Sequence, residues 1–193
     1  MEATNTSTSN SEKPIGAGNF LNPEKISKEF GIKEGMSIAD FGCGTGYFTI
    51  IIAQKLGKDG KVYALDIQES ALDSVITMAR SANLKNVETV RANLEILGGS
   101  RLQNNSQDMV MLHNMLFQSN KKEEIIREAT RILKDNGQVV IIEWKKGISG
   151  LGPPDSLKTD EGIMKTLAEK EGLVFVRNID AGNFHYGMIL EKR

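Results

Sequence analysis

Very little in this sequence can cross-link the chain, hold a metal or span a membrane. It has one cysteine, Cys43, and two histidines, so no intramolecular disulfide can form and no cluster has zinc-ligand spacing. A reducing, cytoplasmic setting and no metal are the expectations. No apolar run approaches the roughly 20 residues of a membrane-spanning helix, and Ile50-Ile51-Ile52 belongs to a short helix. Excess charge of either sign is also missing. With 24 Lys and Arg against 25 Asp and Glu, no global field exists to hold a polyanion, which disfavours nucleic acid as the main partner. The segment Met1 to Lys13 is rich in Ser, Thr and Asn and lacks the apolar core of a secretion signal. Residues 1–18 therefore read as a disordered tail, and 19–193 as one domain, since 193 residues suffice for a single well-buried core but not for two of ordinary size.

What is present is an alternation of strand and helix patterns. Asn22-Pro23 opens a short helix that Gly31 stops. Met36 to Phe41 is a strand that runs into a glycine turn, and from Tyr47 to Leu56 the residues Phe48, Ile51, Ile52 and Leu56 recur at helical spacing. Lys61 to Asp66 repeats the strand, and Leu72, Val75, Ile76 and Ala79 form the inner stripe of the next helix. Asn86 to Arg91 and Met109 to Leu112 are the third and fourth strands, with an irregular region through Gly98-Gly99 between them. Asn120 with Glu123 predicts a reciprocal cap for an amphipathic helix that ends at Asn136-Gly137. Gln138 to Trp144 is a nearly continuous apolar strand, the pattern of one buried on both faces. A flexible stretch containing Gly152-Pro153-Pro154 follows, then a helix near Asp160 to Lys170 with Ile163, Met164 and Leu167 as its apolar face. The final strands, Leu173 to Arg177 and Phe184 to Glu191, have no helix between them and are expected to pair antiparallel. Five βα repeats imply an α/β fold: a doubly wound, Rossmann-like parallel sheet with helices on both faces.

In such a sheet a ligand lies beyond the carboxyl ends of the strands, where strand order reverses. The first strand delivers Asp40-Phe41-Gly42-Cys43-Gly44-Thr45-Gly46 to that place. Glycines at alternate positions let the backbone pass close to a bound molecule. Asp66, at the end of the second strand, can accept hydrogen bonds from both hydroxyls of a ribose, because a carboxylate is acceptor-only. Capping the following helix is its structural alternative.

The run Ile38 to Tyr47, Asp66, and Arg131-Ile132-Leu133-Lys134 before Gly137 resemble the motifs of class I S-adenosylmethionine-dependent methyltransferases. The chain is most similar to the small ubiquinone/menaquinone-methyltransferase-like group. That resemblance implies a seven-stranded sheet in the order 3-2-1-4-5-7-6 with the last strand antiparallel, and S-adenosyl-L-methionine as cofactor. It also implies that Gly42, Gly44 and Gly46 lie along the methionine moiety, with Asp40 contributing electrostatically. Cys43 would be a small residue beside the cofactor, Asp66 would bind the ribose and Ile67 would pack on the adenine. Asn93 and Leu94 occupy the place where the family often has an acid and an apolar residue near the adenine amino group. Asn93 departs from the usual Asp but keeps an acceptor oxygen. His113 falls where the backbone commonly lies near the cofactor.

A small-molecule acceptor is expected, with Phe20, His113, Glu143, Trp144 and His185 as the substrate-side candidates, because the topology gathers them on one rim. Phe20, with Asn19 and Leu21, is placed as a lid. The structural alternatives are a core Trp144, a Glu143 paired with lysine and a His185 confined to a strand mouth. Two other functions share the fold. A nicotinamide-dependent oxidoreductase would use the same sheet and acid, but the G-x-G-x-G spacing and the closing hairpin argue against it. A non-catalytic domain that binds the same cofactor would keep every cofactor residue.

Overall fold

The computed structural model describes residues 21–148 and 150–193. The expected tail, and Phe20 with it, lie outside the described residues. A seven-stranded sheet has the order β3-β2-β1-β4-β5-β7-β6, from β1 (Ser37–Phe41), β2 (Lys61–Asp66), β3 (Val87–Arg91), β4 (Gln107–His113), β5 (Leu133–Trp144), β6 (Leu173–Ile179) and β7 (His185–Lys192). The first five strands pair parallel, and β7 runs antiparallel to both β5 and β6. A short helix α1 (Pro23–Ile26) precedes the sheet, and α2 (Tyr47–Leu56), α3 (Glu69–Ser81), α4 (Lys122–Ile132) and α5 (Glu161–Lys170) cover its faces.

Alternation along the central strands builds a core on each side of the sheet. Ala39, Phe41, Val110, Leu112, Val139 and Ile141 enter one cluster, and Ile38, Met109, Met111, Val140 and Ile142 enter the other. Successive side chains of a strand point to opposite faces, so a continuous apolar run fills both layers. Among the described residues no helix is long and apolar enough to cross a membrane.

The structure departs from the sequence expectations in four places. First, the strand–helix units number four rather than five, because the irregular region expected between β3 and β4 is there, as turns over residues 92–106, and no helix joins the two strands. A Cβ on Gly99 would collide with the carbonyl oxygen of Asn93, so this crossover is folded tightly on itself. Second, α4 ends at Ile132 rather than at Asn136-Gly137, because Leu133 already pairs with Gln107 and Lys134 Nζ bonds Asp108 at 2.7 Å. Asn136 does adopt the left-handed conformation, φ 61°, but within the extended start of β5. Third, Lys121 rather than Asn120 is the N-cap of α4 and makes no side-chain cap bond, while its own amide donates to Ser119 Oγ at 2.9 Å. Fourth, Ile163 is 56% exposed while Met164 and Ala168 are fully buried. The inner stripe of α5 is therefore the i,i+4 pair, and Ile163 lies beside it.

Candidate functional site

A cavity of about 580 Å3 opens at the carboxyl ends of β1, β2 and β4, at the strand-order reversal. Its floor is the turn after β1. Gly42 N and Cys43 N donate to Leu65 O at 2.8 and 3.1 Å, and Gly46 N to Cys43 O at 3.0 Å. All three glycines have left-handed φ, 67°, 52° and 90°, a conformation that strains other residues. Their surroundings differ. A Cβ on Gly42 would meet Met115 at 2.9 Å, and one on Gly46 would meet Val75 at 2.9 Å, whereas Gly44 faces open space. Gly42, Cys43 and Gly44 line the cavity, and Gly46 stands behind it as the first turn of α2 begins. The Cys43 thiol is buried, which pushes its pKa up, as do the nearby Asp40 and Asp66. It is a neutral packing group, in contact with Ala64, Leu72 and Val75.

Asp66 faces the cavity with both oxygens already engaged once. Oδ2 accepts from Gly44 N at 3.1 Å and Oδ1 from Gln68 N at 2.9 Å. It thus ties the glycine turn to the start of α3, and each oxygen keeps a second lone pair for a ligand. Ile67, 57% exposed, and the nearly buried Leu94 supply apolar surface to the same cavity. Asn93 also lines it, with its Oδ1 accepting from Glu95 N at 3.1 Å.

Asp40 is completely buried and does not form part of the cavity wall. Its Oδ2 accepts from Thr49 Oγ1 at 2.6 Å, and its Oδ1 lies 2.8 Å from His113 Nε2. The His113 ring, which does line the cavity, packs on Phe48 with centroids 4.4 Å apart.

Of the remaining substrate-side candidates, Glu143 lies beneath the wall. Its Oε1 accepts from Met115 N at 2.8 Å and Leu116 N at 2.7 Å, so it fixes the segment after β4. Burial raises its pKa to about 7, against the lowering effect of hydrogen bonds from the amides of Leu116, Met115 and Trp144 and of the His113 charge. The Trp144 and His185 rings pack against each other at a tilt, with centroids 4.1 Å apart, and a Cβ on Gly152 would reach the indole at 2.5 Å. They pack under the loop after β5. Burial, with Lys145 nearby, lowers the His185 pKa to about 4.

Asn114 follows His113 on the rim and lines the cavity in the left-handed region, φ 50°, and its buried Oδ1 has no partner among the described residues. The feature that sequence patterns do not reveal is a buried acid on α4. Glu128, on α4, is fully buried. It accepts from Gly98 N at 2.7 Å and Ser100 N at 3.0 Å while Arg131 donates to both its oxygens at 2.8 and 2.7 Å. Burial pushes the Glu128 carboxyl up, but the bonds from Arg131, Ser100 and Gly98 outweigh it and hold the pKa below the ordinary value. The charged side chains of the cavity wall are acids, Asp66 and Glu95, and no lysine or arginine lines it among the described residues.

A sheet in this order, with a glycine turn after β1 and an acid at the end of β2, defines a Rossmann-like nucleotide-binding protein. Residues 32–184 match the family described as a methyltransferase domain, and the chain belongs to that family. It is 32% identical over 119 residues to the demethylmenaquinone methyltransferase of Lactococcus lactis, a match covering 62% of this chain and 46% of that protein. Identity is also 32% over 119 residues to the ubiquinone/menaquinone biosynthesis C-methyltransferase of Escherichia fergusonii, covering 61% and 46%. The chain therefore spans about half the length of the curated relatives it matches. A solved S-adenosylmethionine-dependent methyltransferase from Aquifex aeolicus superposes with a TM-score of 0.83 at 28% identity, covering 91% of this chain and 92% of that one. The [4+2]-cyclase SpnF shares the fold alone, with a TM-score of 0.74 at 13% identity over 88% of this chain and 79% of that one. The cofactor of the family, S-adenosylmethionine, fits the residues present: Gly44 leaves room, Asp66 keeps acceptor capacity, and Ile67 and Leu94 offer apolar surface.

Proposed function

We propose that the protein transfers a methyl group from S-adenosylmethionine to a small, uncharged acceptor bound in the same cavity. Gly42, Gly44 and the intervening Cys43 would flank the methionine moiety, Asp66 would take the ribose hydroxyls, and Ile67, Asn93 and Leu94 would surround the adenine. When bound, the cofactor supplies an electrophilic methyl group on a sulfonium sulfur. The chain's contribution is then largely alignment of acceptor and methyl, and exclusion of water.

The observation that carries the acceptor class is the charge of the wall. Among the described residues Asp66 and Glu95 are the carboxylates of the wall and no lysine or arginine lines it, so an anionic acceptor would meet repulsion and find no ammonium or guanidinium partner. Lys145, just after β5, bonds Gly182 O at 3.1 Å and is not part of the wall. The names of the curated relatives make a quinol the first acceptor to test. Incubation of the protein with S-adenosylmethionine and a metabolite extract, read by mass spectrometry, should yield a product heavier by one methyl. Methylation confined to carboxylates or phosphates would contradict the proposal.

The cofactor assignment makes a further prediction. Asp66→Ala removes a charged acceptor, worth about 1.5–3 kcal/mol in a hydrogen bond, and should weaken S-adenosylmethionine binding by about 10- to 100-fold in isothermal titration. Unchanged affinity would remove Asp66 from the ribose role and leave it as the tie between Gly44 and Gln68.

A further inference from the structure

We propose that His113 is the base that removes a proton from a hydroxyl-bearing acceptor, with Asp40 as its positioning residue. This rests on the methyl-transfer reading. Asp40 on β1 pairs with Met111 on β4, and His113 is two residues further along β4, so two adjacent parallel strands deliver the acid and the imidazole to the same end of the sheet. The carboxylate is fully buried and committed, with Thr49 Oγ1 on one oxygen and His113 Nε2, at 2.8 Å, on the other. A carboxylate only accepts, so the ring nitrogen against it carries the proton, and the neutral ring is left with its lone pair on Nδ1. Nδ1 has no partner among the described residues and is not one of the buried unpaired polar atoms, while the ring lines the cavity. The accessible nitrogen is therefore an acceptor facing the space where the acceptor molecule would bind. Phe48 packs on the ring at a tilt, with centroids 4.4 Å apart, and limits its rotation.

Asp40 faces the His113 ring from β1, and Glu143 lies close to it on β5. Asp66 and Glu95 are the charged residues of the rest of the wall, and the Cys43 thiol in the turn is neutral. In the step, the acceptor O–H bond breaks and its proton goes to Nδ1. The freed electron pair, on oxygen or on a conjugated ring carbon, forms the bond to the methyl carbon as the carbon–sulfur bond breaks, with sulfur keeping its pair. One positive charge leaves the sulfonium and one appears on His113, beside Asp40, before release to water. An unprotonated amine has a lone pair already and needs no such base, so the geometry points to a phenol-type or enol-type hydroxyl.

Nitrogen-15 NMR of the two imidazoles tests the arrangement without turnover. In the wild-type protein His113 should be the Nε2–H tautomer, and Asp40→Asn, which offers an amide donor, should shift it toward Nδ1–H. With menadiol as the hydroxylic probe, His113→Asn should lower kcat by about 100-fold or more, with the S-adenosylmethionine dissociation constant changed by less than about threefold. The lost rate should recover as pH rises and the probe ionises. An Nδ1–H tautomer in the wild type, or a His113→Asn variant keeping more than about a fifth of kcat, overturns the proposal. Failure of the wild type to bind S-adenosylmethionine would instead strike the reading beneath it.

Discussion

Glu128→Ala is expected to lower the free energy of unfolding by about 3–5 kcal/mol, the usual cost of removing one partner of a buried, hydrogen-bonded ion pair. The deletion removes both carboxylate bonds of the Arg131 guanidinium, which keeps Asn104, Ser100 and Leu102 as partners, and strips Gly98 N and Ser100 N of their acceptor. Those amides belong to the crossover between β3 and β4, which also carries Asn93, Leu94 and Glu95 into the cavity wall. Loosening it should weaken cofactor binding as well, so urea unfolding and isothermal titration on the same variant should move together. The pH dependence has a definite sign. The folded-state pKa of Glu128 is depressed, so its stabilisation is present above the ordinary value of 4.5 and is lost as pH falls through the folded value. A variant within about 1 kcal/mol of the wild type would show that the clamp contributes little.

Glu143 is a second buried clamp, beneath the segment after β4 and with the opposite pH dependence. Glu143→Ala orphans the amides of Met115 and Leu116, and at about 1–3 kcal/mol for each buried donor left unpaired the expected loss is about 2–6 kcal/mol. Met115 packs against Gly42, so the floor of the cavity should be disturbed too. Glu143→Gln retains an acceptor at the same position and should preserve most of the stability. It also isolates the titration. Because the folded pKa is raised from 4.5 to about 7, the folded state keeps a proton that the unfolded chain has lost between those values. Wild-type stability, taken relative to Glu143→Gln, should therefore be greatest below about pH 4.5 and decline by about 3 kcal/mol as pH rises to 7. A difference that stays flat across that window would mean the carboxyl titrates normally.

These clamps mark the limit of what was legible in the sequence. The turn from Asp40 to Gly46 and the acid Asp66 could be placed because a strand, a turn and a helix start are local, and their spacing fixes which end of the sheet they reach. The strand order was implied by family resemblance and is the order observed. Glu128 could not be found this way. On the helix surface it reads as one more solvated charge, and it is buried only because an aperiodic crossover folds over it. Glu143 was placed at the correct end of the correct strand, but position along a strand does not say whether a side chain reaches a cavity or the backbone beneath it. Ile163 shows the same weakness, since one residue of rotation on α5 separates a buried face from an exposed one. The left-handed backbone of Asn114 carried no sequence signal, as it follows from the turn that Glu143 holds in place.

We assign S-adenosylmethionine to the cavity after β1 and β2. Isothermal titration of the purified chain with S-adenosylmethionine and, separately, with a nicotinamide dinucleotide tests it most directly. Saturable binding of S-adenosylmethionine that weakens in Asp66→Ala, with no heat from the dinucleotide, is the predicted result. Saturable binding of the dinucleotide, with none of S-adenosylmethionine, would contradict it.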